Sequence, residues 1–410
     1  MSRLEPSNEA SAMQKEISAI AEQGGRATKV EQLIQQYCPD GVEYKKLGEL
    51  CLKVCSGGTP SRGNSDYFTG DIPWLRTQEV DWKDIYDTEI KITEDAVKNS
   101  SAKLIPENCV IIAMYGATAG KVGINKIPLT TNQACCNLQI NPQKALYKYV
   151  YYWVCNEYEK LKSLGQGSQN NINAQIIKEY PIPVPPLPVQ EEIVRILDTL
   201  TELQAELQAE LQKRLQQYDY YRDNLLSFEG RTDVEWKKLG EITTILRGKR
   251  LIKSQLSNDK PYAVYHGGLE PLGYYESANR TANTTMIINV GASAGTIGYS
   301  KEDFWSSDGC YCVEHSKLFD DRYIYYALQT KEQQLKSKVR VAGIPTLDKP
   351  VVEDLLVPIP PLTEQQRIVN ILDRFDALTT DITAGLPAEI EARRKQYEYY
   401  RDKLLTFKKK

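Results

Sequence analysis

The stretch PPLPVQEEIVRILD (Pro185–Asp198) returns as PPLTEQQRIVNILD (Pro360–Asp373), with nine of fourteen positions identical. QYDYYRDNLLSF (Gln217–Phe228) returns as QYEYYRDKLLTF (Gln396–Phe407), nine of twelve, and VEYKKLGEL (Val42–Leu50) as VEWKKLGEI (Val234–Ile242), seven of nine. Three landmarks repeated in the same order mark a tandem duplication: a long segment, a helical segment, then both again.

The helical segments are patterned for packing. Ile196, Leu200, Leu203, Leu207, Leu211, Leu215, Tyr218, Tyr221 and Leu225 cover 29 residues in eight steps, about 3.6 residues each, which is one face of an α-helix. From Val189 to Phe228 such a helix would run about 60 Å at about 1.5 Å per residue. A single apolar stripe needs a partner, and the second copy supplies Ile368, Ile371, Leu372, Phe375, Leu378 and Ile382. Gly385-Leu386-Pro387 is expected to stop one helix at Gly385 and start another at Pro387. The lead-ins PIPVPPLP and VPIPPL force extended chain before each helix and read as domain hinges.

The long segments mix short β-rich runs (ENCVIIAMYG, TTMIINVG, NLQINP), Gly-, Asn- and Ser-rich turns, and helical pieces such as YVYYWVCNEYEKLKSL. They predict two α+β domains on a common scaffold, separated by long helices that pair as an antiparallel, coiled-coil-like spacer. The boundaries follow: 1–40, an N-terminal extension with a short helix; 41–185 and 231–357, the two domains; 186–230 and 358–410, the spacer helices.

Within the first domain, AMYGATAGKVGI (Ala113–Ile124) resembles a phosphate-binding loop. Such a loop needs four residues between its glycines and a Ser or Thr after the lysine; here three intervene and Val122 follows. VGASAGTIGY is its second copy, with Thr296 in the place of Lys121, so the shared feature is a Gly-xxx-Gly turn after a strand rather than a nucleotide cradle.

A chain of 410 residues with net charge −3 has ordinary globular composition. No run of about 18 apolar residues and no signal-peptide pattern appear, so the expected location is the cytoplasm, without membrane. Nine cysteines fit a reducing compartment. Cys310-x-Cys312-x-x-His315 matches no common zinc spacing, and buried thiols in a strand are the expected reading. Residues 42–180 and 234–357 each hold 16 Lys and Arg against 15 Asp and Glu. A generic polyanion binder would be strongly basic, so any phosphate grip must come from local clusters.

Taken together, two variable α+β domains, each followed by a proline lead-in, an EQQRIVxILD-type helix and a QYxYYRDxLLxF end, resemble the specificity subunit of type I restriction-modification systems, from about Lys29 onward. Residues 1–28 fall outside the likeness. The resemblance implies target recognition domains that each read half of a split double-stranded DNA sequence, with spacer helices that separate them and dock methyltransferase subunits, two per chain. Restriction/translocase subunits join that assembly. It also implies a chain that catalyses nothing, with S-adenosylmethionine, ATP and Mg2+ on partner subunits. The residues agree: Asn141-Pro142-Gln143-Lys144 is the nearest approach to an adenine-methylation motif and lacks its aromatic. A related alternative is the recognition subunit of a type II system that cuts on both sides of its site.

Base reading requires polar side chains on loops, and phosphate anchoring requires Arg, Lys, Ser, Thr and backbone amides. In the first domain the candidates are Thr59, Ser61, Arg62, Arg76, Gln78, Tyr115, Thr118, Lys121, Gln169, Asn170 and Asn171. In the second they are Arg247, Lys249, Arg250, Tyr265, His266, Ser293 and Arg340. Spacer packing and subunit docking are assigned to Ile196, Leu200, Leu203, Leu207, Leu211, Leu215, Tyr218, Tyr221, Ile371, Phe375, Leu378, Tyr397 and Tyr400. The tandem tetrapeptides TELQ, AELQ and AELQ from Thr201 to Gln212 read as a ruler within the helix.

Overall fold

A computed structural model of the chain describes residues 29–165, 171–228, 230–380 and 384–410. The extension 1–28 and the expected residues Gln169, Asn170 and Ile382 lie outside the described residues. The chain forms two compact units, Met1–Glu206 with Glu391–Lys410, and Leu207–Ile390.

In the first unit a five-stranded sheet has the order Cys51–Ser56, Cys135–Ile140, Val110–Ala113, Val122–Asn125, Asp84–Ile85. Only its last pair is parallel. The run VIIA sits centrally because all four of its side chains are buried, the signature of a strand covered on both faces. A smaller sheet joins Lys91–Ile92, Ile72–Leu75 and Thr130–Thr131. The helix Tyr147–Asn156 buries Tyr149, Tyr152 and Trp153. A two-stranded ribbon of Tyr44–Lys46 with Pro181–Pro183 closes the domain. Prolines are tolerated there because a ribbon leaves one side of each strand unpaired.

The second unit repeats this plan. Its four-stranded antiparallel sheet runs Ile245–Arg247, Cys310–Val313, Thr284–Ile288, Ile297–Ser300, and the smaller sheet runs Gly273–Tyr275, Tyr262–Tyr265, Trp305–Ser306. The helix Asp321–Gln329 takes the place of Tyr147–Asn156, and Glu235–Lys238 pairs with Leu356–Ile359 as the closing ribbon. Cys310 and Cys312 are fully buried in their strand, and His315 turns instead to Asp321, with Nδ1 2.8 Å from its carboxylate.

The spacer helix spans Leu187–Ser227, 41 residues, as its leucine stripe predicts. Pro188 lies in the first turn, where its missing N–H has no intrahelical acceptor to serve. Ile196, Leu200 and Leu203 are buried in the first unit. In the second, Leu207, Leu211 and Leu215 are half-buried and Tyr218 is buried. The later helical segment divides into Leu362–Thr380 and Leu386–Leu404. The second piece begins at Leu386 rather than Pro387, because a proline fits anywhere in a first turn.

Each domain is buttressed by a QYxYYRD segment. In the second unit Tyr221 stacks on Phe375 with ring centroids 5.4 Å apart, and the Tyr218 hydroxyl donates to Gln329 at 2.6 Å. Ile371 and Leu378 are more open than Ile368 and Leu372, which are wholly buried on the same helix. In the first unit Tyr397 lies beside Thr201 and Cys155, and burial raises the pKa of its phenol; Tyr400 is half-buried. The Val42 N–H donates to the Lys408 carbonyl at 2.8 Å, and the Lys410 N–H to that of Val42 at 3.1 Å. The last residues of the chain thus complete the first domain.

Candidate nucleic-acid interface

The suspected phosphate cradle is a hairpin connection. Val110–Ala113 runs antiparallel to Val122–Asn125, and the chain between them turns through Gly116–Thr118 with Gly116 at φ 75° and Gly120 at φ 87°. A phosphate loop feeds a helix whose first amides face the anion; here a strand follows. In the second domain Gly291 and Gly295 take φ 88° and 91° in the same connection. The internal hydrogen bonds correspond one to one. Ala119 N–H to Gly116 O (3.0 Å) matches Ala294 to Gly291 (3.0 Å), and Gly120 to Ala113 (2.8 Å) matches Gly295 to Ile288 (2.7 Å).

Around each hairpin the backbone gathers four further segments in matching fashion. Met114 N–H donates to Ala134 O at 2.8 Å, Asn132 N–H to Leu75 O at 2.9 Å, Gly58 N–H to Thr131 O at 2.9 Å, and Ile172 N–H to Met114 O at 3.0 Å. Their counterparts are Asn289 to Gly309 at 3.1 Å, Ser307 to Tyr265 at 2.9 Å, Lys249 to Ser306 at 2.9 Å, and Leu347 to Asn289 at 2.9 Å. The frame is packed tightly. A Cβ on Gly57 would stand 1.9 Å from the Thr131 carbonyl oxygen, and one on Gly248 2.2 Å from that of Ser306, so both positions require glycine.

This frame sorts the candidates of the first domain. Thr59 donates its hydroxyl to Gln133, and Ser61 and Arg62 lie exposed farther along the same loop. Arg76 pairs with Glu79 and Glu89, beside exposed Gln78. Tyr115 is exposed just before the hairpin turn, Thr118 is half-buried within it, and Asn171 accepts from the Gly116 N–H at 3.2 Å. Lys121 stands apart: Asp81 holds it at 2.6 Å, so its charge is already met inside the domain.

In the second domain Arg247 donates Nε–H to the Asp308 carbonyl at 3.3 Å. Lys249 and Arg250 are exposed and make no ion pair among the described residues. Tyr265 serves the scaffold, with its ring edge-on to Phe304 at 5.5 Å and burial raising its phenol pKa. The buried His266 Nδ1 lies 3.4 Å from Asp308 and makes no hydrogen bond among the described residues. Ser293 is half-buried in the hairpin turn, and Arg340 pairs with Asp348 at 2.8 Å.

Sequence reasoning passed over Gln133, which accepts from Thr59, and Asp308, which touches both Arg247 and His266. The signal was a pair of small residues before a buried cysteine strand, TTNQACC and SSDGCYC. It also missed the apolar tip beside Arg340, where Val341 is 80% and Ile344 70% exposed.

Where domain meets spacer helix, the repeated motif residues recur with one geometry. Tyr152 donates to Asp198 at 2.7 Å and Lys148 Nζ lies 2.6 Å from that carboxylate. Tyr326 donates to Asp373 at 2.5 Å, and Arg322 Nε to the same carboxylate at 2.7 Å. The Arg322 guanidinium also rests within 4.6 to 4.8 Å of the ring centroids of Tyr299, Tyr325 and Tyr326. Among the described residues no helix is long and apolar enough to cross a membrane.

Two copies of one loop frame, each carrying its own polar side chains and fixed to a repeated helical segment, define a modular recognition protein. The type I restriction modification DNA specificity domain matches the chain twice, over residues 39–217 and 232–392, and the chain belongs to that family. It is 35% identical over 294 residues to the specificity subunit of the Escherichia coli type I restriction enzyme EcoR124I/EcoR124II, covering 65% of this chain and 72% of that one. It is 31% identical over 393 residues to a putative type I restriction enzyme specificity subunit of Haemophilus influenzae, covering 89% of this chain and 96% of the relative. A crystal structure of the type I S subunit from M. genitalium shares the fold, with TM-score 0.61 at 18% identity over 90% of this chain and 97% of that one.

Proposed function

We propose that each domain reads one half of a bipartite double-stranded DNA target, that the spacer helices set the gap between the halves, and that methyltransferase subunits, two per chain, dock on the repeated helices. Restriction/translocase subunits complete the assembly, and S-adenosylmethionine, ATP and Mg2+ are used on those partners. The observation that carries this reading is the duplicated loop frame, which keeps its backbone and changes its side chains, as reading two different half-sites demands. Direct readout depends on donors and acceptors held rigidly against base edges, whereas phosphate contacts position without specifying.

Phosphate contacts would come from Arg62 in the first domain and from Lys249 and Arg250 in the second, all exposed. These are few, so binding is expected to depend on the methyltransferase subunits closing on the duplex. Two exposed tyrosines at equivalent places in the QYxYYRD repeats, Tyr220 (64%) and Tyr399 (61%), favour docking of two copies of one partner.

The test is methylome sequencing of cells with and without this gene. A split methylated motif that disappears with the gene is expected; methylation unaffected by its loss would overturn the reading. Deleting one tetrapeptide, Ala205–Gln208, tests the gap. Four helical residues advance about 6 Å and turn about 40°, and they keep the leucine stripe in register. One base pair advances about 3.4 Å. The gap should shorten by about one base pair with both half-sites unchanged, and an unaltered gap would refute the ruler.

A further inference from the structure

We propose that Gln133 and Asp308 are the residues that set base choice in the two half-sites, each at the same structural position of its own domain. The inference rests on the proposed half-site reading and names where the discrimination resides.

Both residues occupy the tip of a loop whose flanks are buried. On one side lie Thr130 and Thr131, on the other Cys135, all with no exposed surface, and Ala134 is also buried. Asn137 donates to the Thr131 hydroxyl at 2.8 Å from inside the sheet. In the second domain Ser306, likewise unexposed, donates its hydroxyl to the Cys310 carbonyl at 3.0 Å. Cys135 N–H to Asn132 O (3.3 Å) matches Cys310 to Ser307 (3.1 Å), so the tips have the same backbone turn. Gln133 is nevertheless exposed and Asp308 partly so. A polar side chain presented from a turn with buried flanks is what positioning against a base edge requires.

The neighbours differ in chemistry while the frame does not. Gln133 is steadied by the Thr59 hydroxyl and keeps an amide that offers both a donor and an acceptor, a match for a base edge presenting an acceptor beside an amino group. Asp308 offers only acceptors, is steadied by the Ser307 hydroxyl at 3.2 Å, and has His266 at its side; it suits a base presenting an amino group. By the backbone correspondence, Thr59 aligns with Arg250 and Arg76 with His266. The surroundings of each tip therefore differ as well.

The test uses the near-isosteric exchanges Gln133→Glu and Asp308→Asn in the full complex with its methyltransferase and restriction subunits, read by methylation of every genomic variant of the motif. Each exchange should lower preference for the native base at one position of one half-site by about tenfold or more. The two exchanges should act in opposite halves, with the gap and the other half untouched. An unchanged motif, or both effects in the same half, would overturn the assignment. If a variant abolishes methylation altogether, Gln133→Asn or Asp308→Ser is read by the same two criteria. A wild-type complex that methylates no split motif would instead sink the half-site reading itself.

Discussion

Gln190 and Gln365 make the same hydrogen bonds at equivalent places in the two repeats. Gln190 accepts from the Leu146 N–H at 2.9 Å and donates to the Pro185 carbonyl at 2.8 Å. Gln365 accepts from the Asp320 N–H at 2.8 Å and donates to the Pro360 carbonyl at 2.8 Å. Neither has exposed surface. One amide thus ties the proline lead-in to the start of the domain's helix, fixing the angle at which domain meets spacer. Replacing Gln365 by Ala strands a part-buried N–H and a buried carbonyl, at a cost of about 2 to 3 kcal/mol. Thermal unfolding should show a clear fall for Gln365→Ala and almost none for Gln208→Ala on the exposed face of the spacer helix. Equal melting of the two variants would contradict the staple.

The glycines of the hairpin turn should not be equally sensitive. Gly120 has φ 87°, and a Cβ there would stand 3.1 Å from the Tyr158 ring; Gly295 has φ 91°, and its Cβ would meet the Lys336 backbone nitrogen at 3.0 Å. Gly116 has φ 75° with nothing within 4 Å of the added atom. Left-handed backbone alone costs an L-residue about 1 to 2 kcal/mol. We expect Gly116→Ala to lose about that much, Gly120→Ala somewhat more, and Gly295→Ala most, since backbone yields less than a ring. Chemical denaturation of the three variants gives the order, and a Gly116 variant as damaged as Gly295→Ala would show the clash to be unimportant.

Tyr220→Ala and Tyr399→Ala should leave the chain folded, because both rings are mostly exposed, yet should weaken assembly with the methyltransferase. An aromatic that serves as an interface hot spot carries about 2 kcal/mol or more, so each variant is expected to lose about 30-fold in affinity for one partner copy. Titration calorimetry or native mass spectrometry should then show one methyltransferase copy bound tightly and one loosely. Full assembly of the double variant would exclude these tyrosines from docking.

The repeats made the architecture legible because several identical residues do mechanical work: Gln190 and Asp198 make the same kinds of bond to corresponding places as Gln365 and Asp373 do. The leucine stripe gave the spacer helix to within two residues at its start. The loops were less legible. Their segments lie far apart in sequence and come together through backbone hydrogen bonds, which leave no side-chain pattern, so residue type singled out Thr59 and Arg76 as candidates and passed over Gln133 and Asp308 beside them. Lys121 shows the converse: its chemistry suited phosphate, but only the fold reveals Asp81 opposite it.

The buried thiols should make the protein sensitive to alkali. Burial pushes the pKa of both Cys109 and Cys136 up to about 12 from an ordinary 9.0, with smaller contributions from neighbouring thiols. In the unfolded chain they ionise from about pH 9, while in the folded chain they stay protonated. Below pH 9 both states hold the proton and the stabilising contribution is complete. As pH rises toward 12 the unfolded state alone releases protons, and each such thiol can remove up to about 1.4 kcal/mol per pH unit. The tyrosines buried against the closing ribbons, Tyr149 and Tyr323, act in the same direction from about pH 10, since burial raises both phenols. The melting temperature should therefore hold up to pH 9 and fall steeply above it. At pH 8.5 iodoacetamide should label Cys109 and Cys136 slowly in the native protein and rapidly in urea. Rapid native labelling of either would mean that the core around it opens far more readily than its full burial allows.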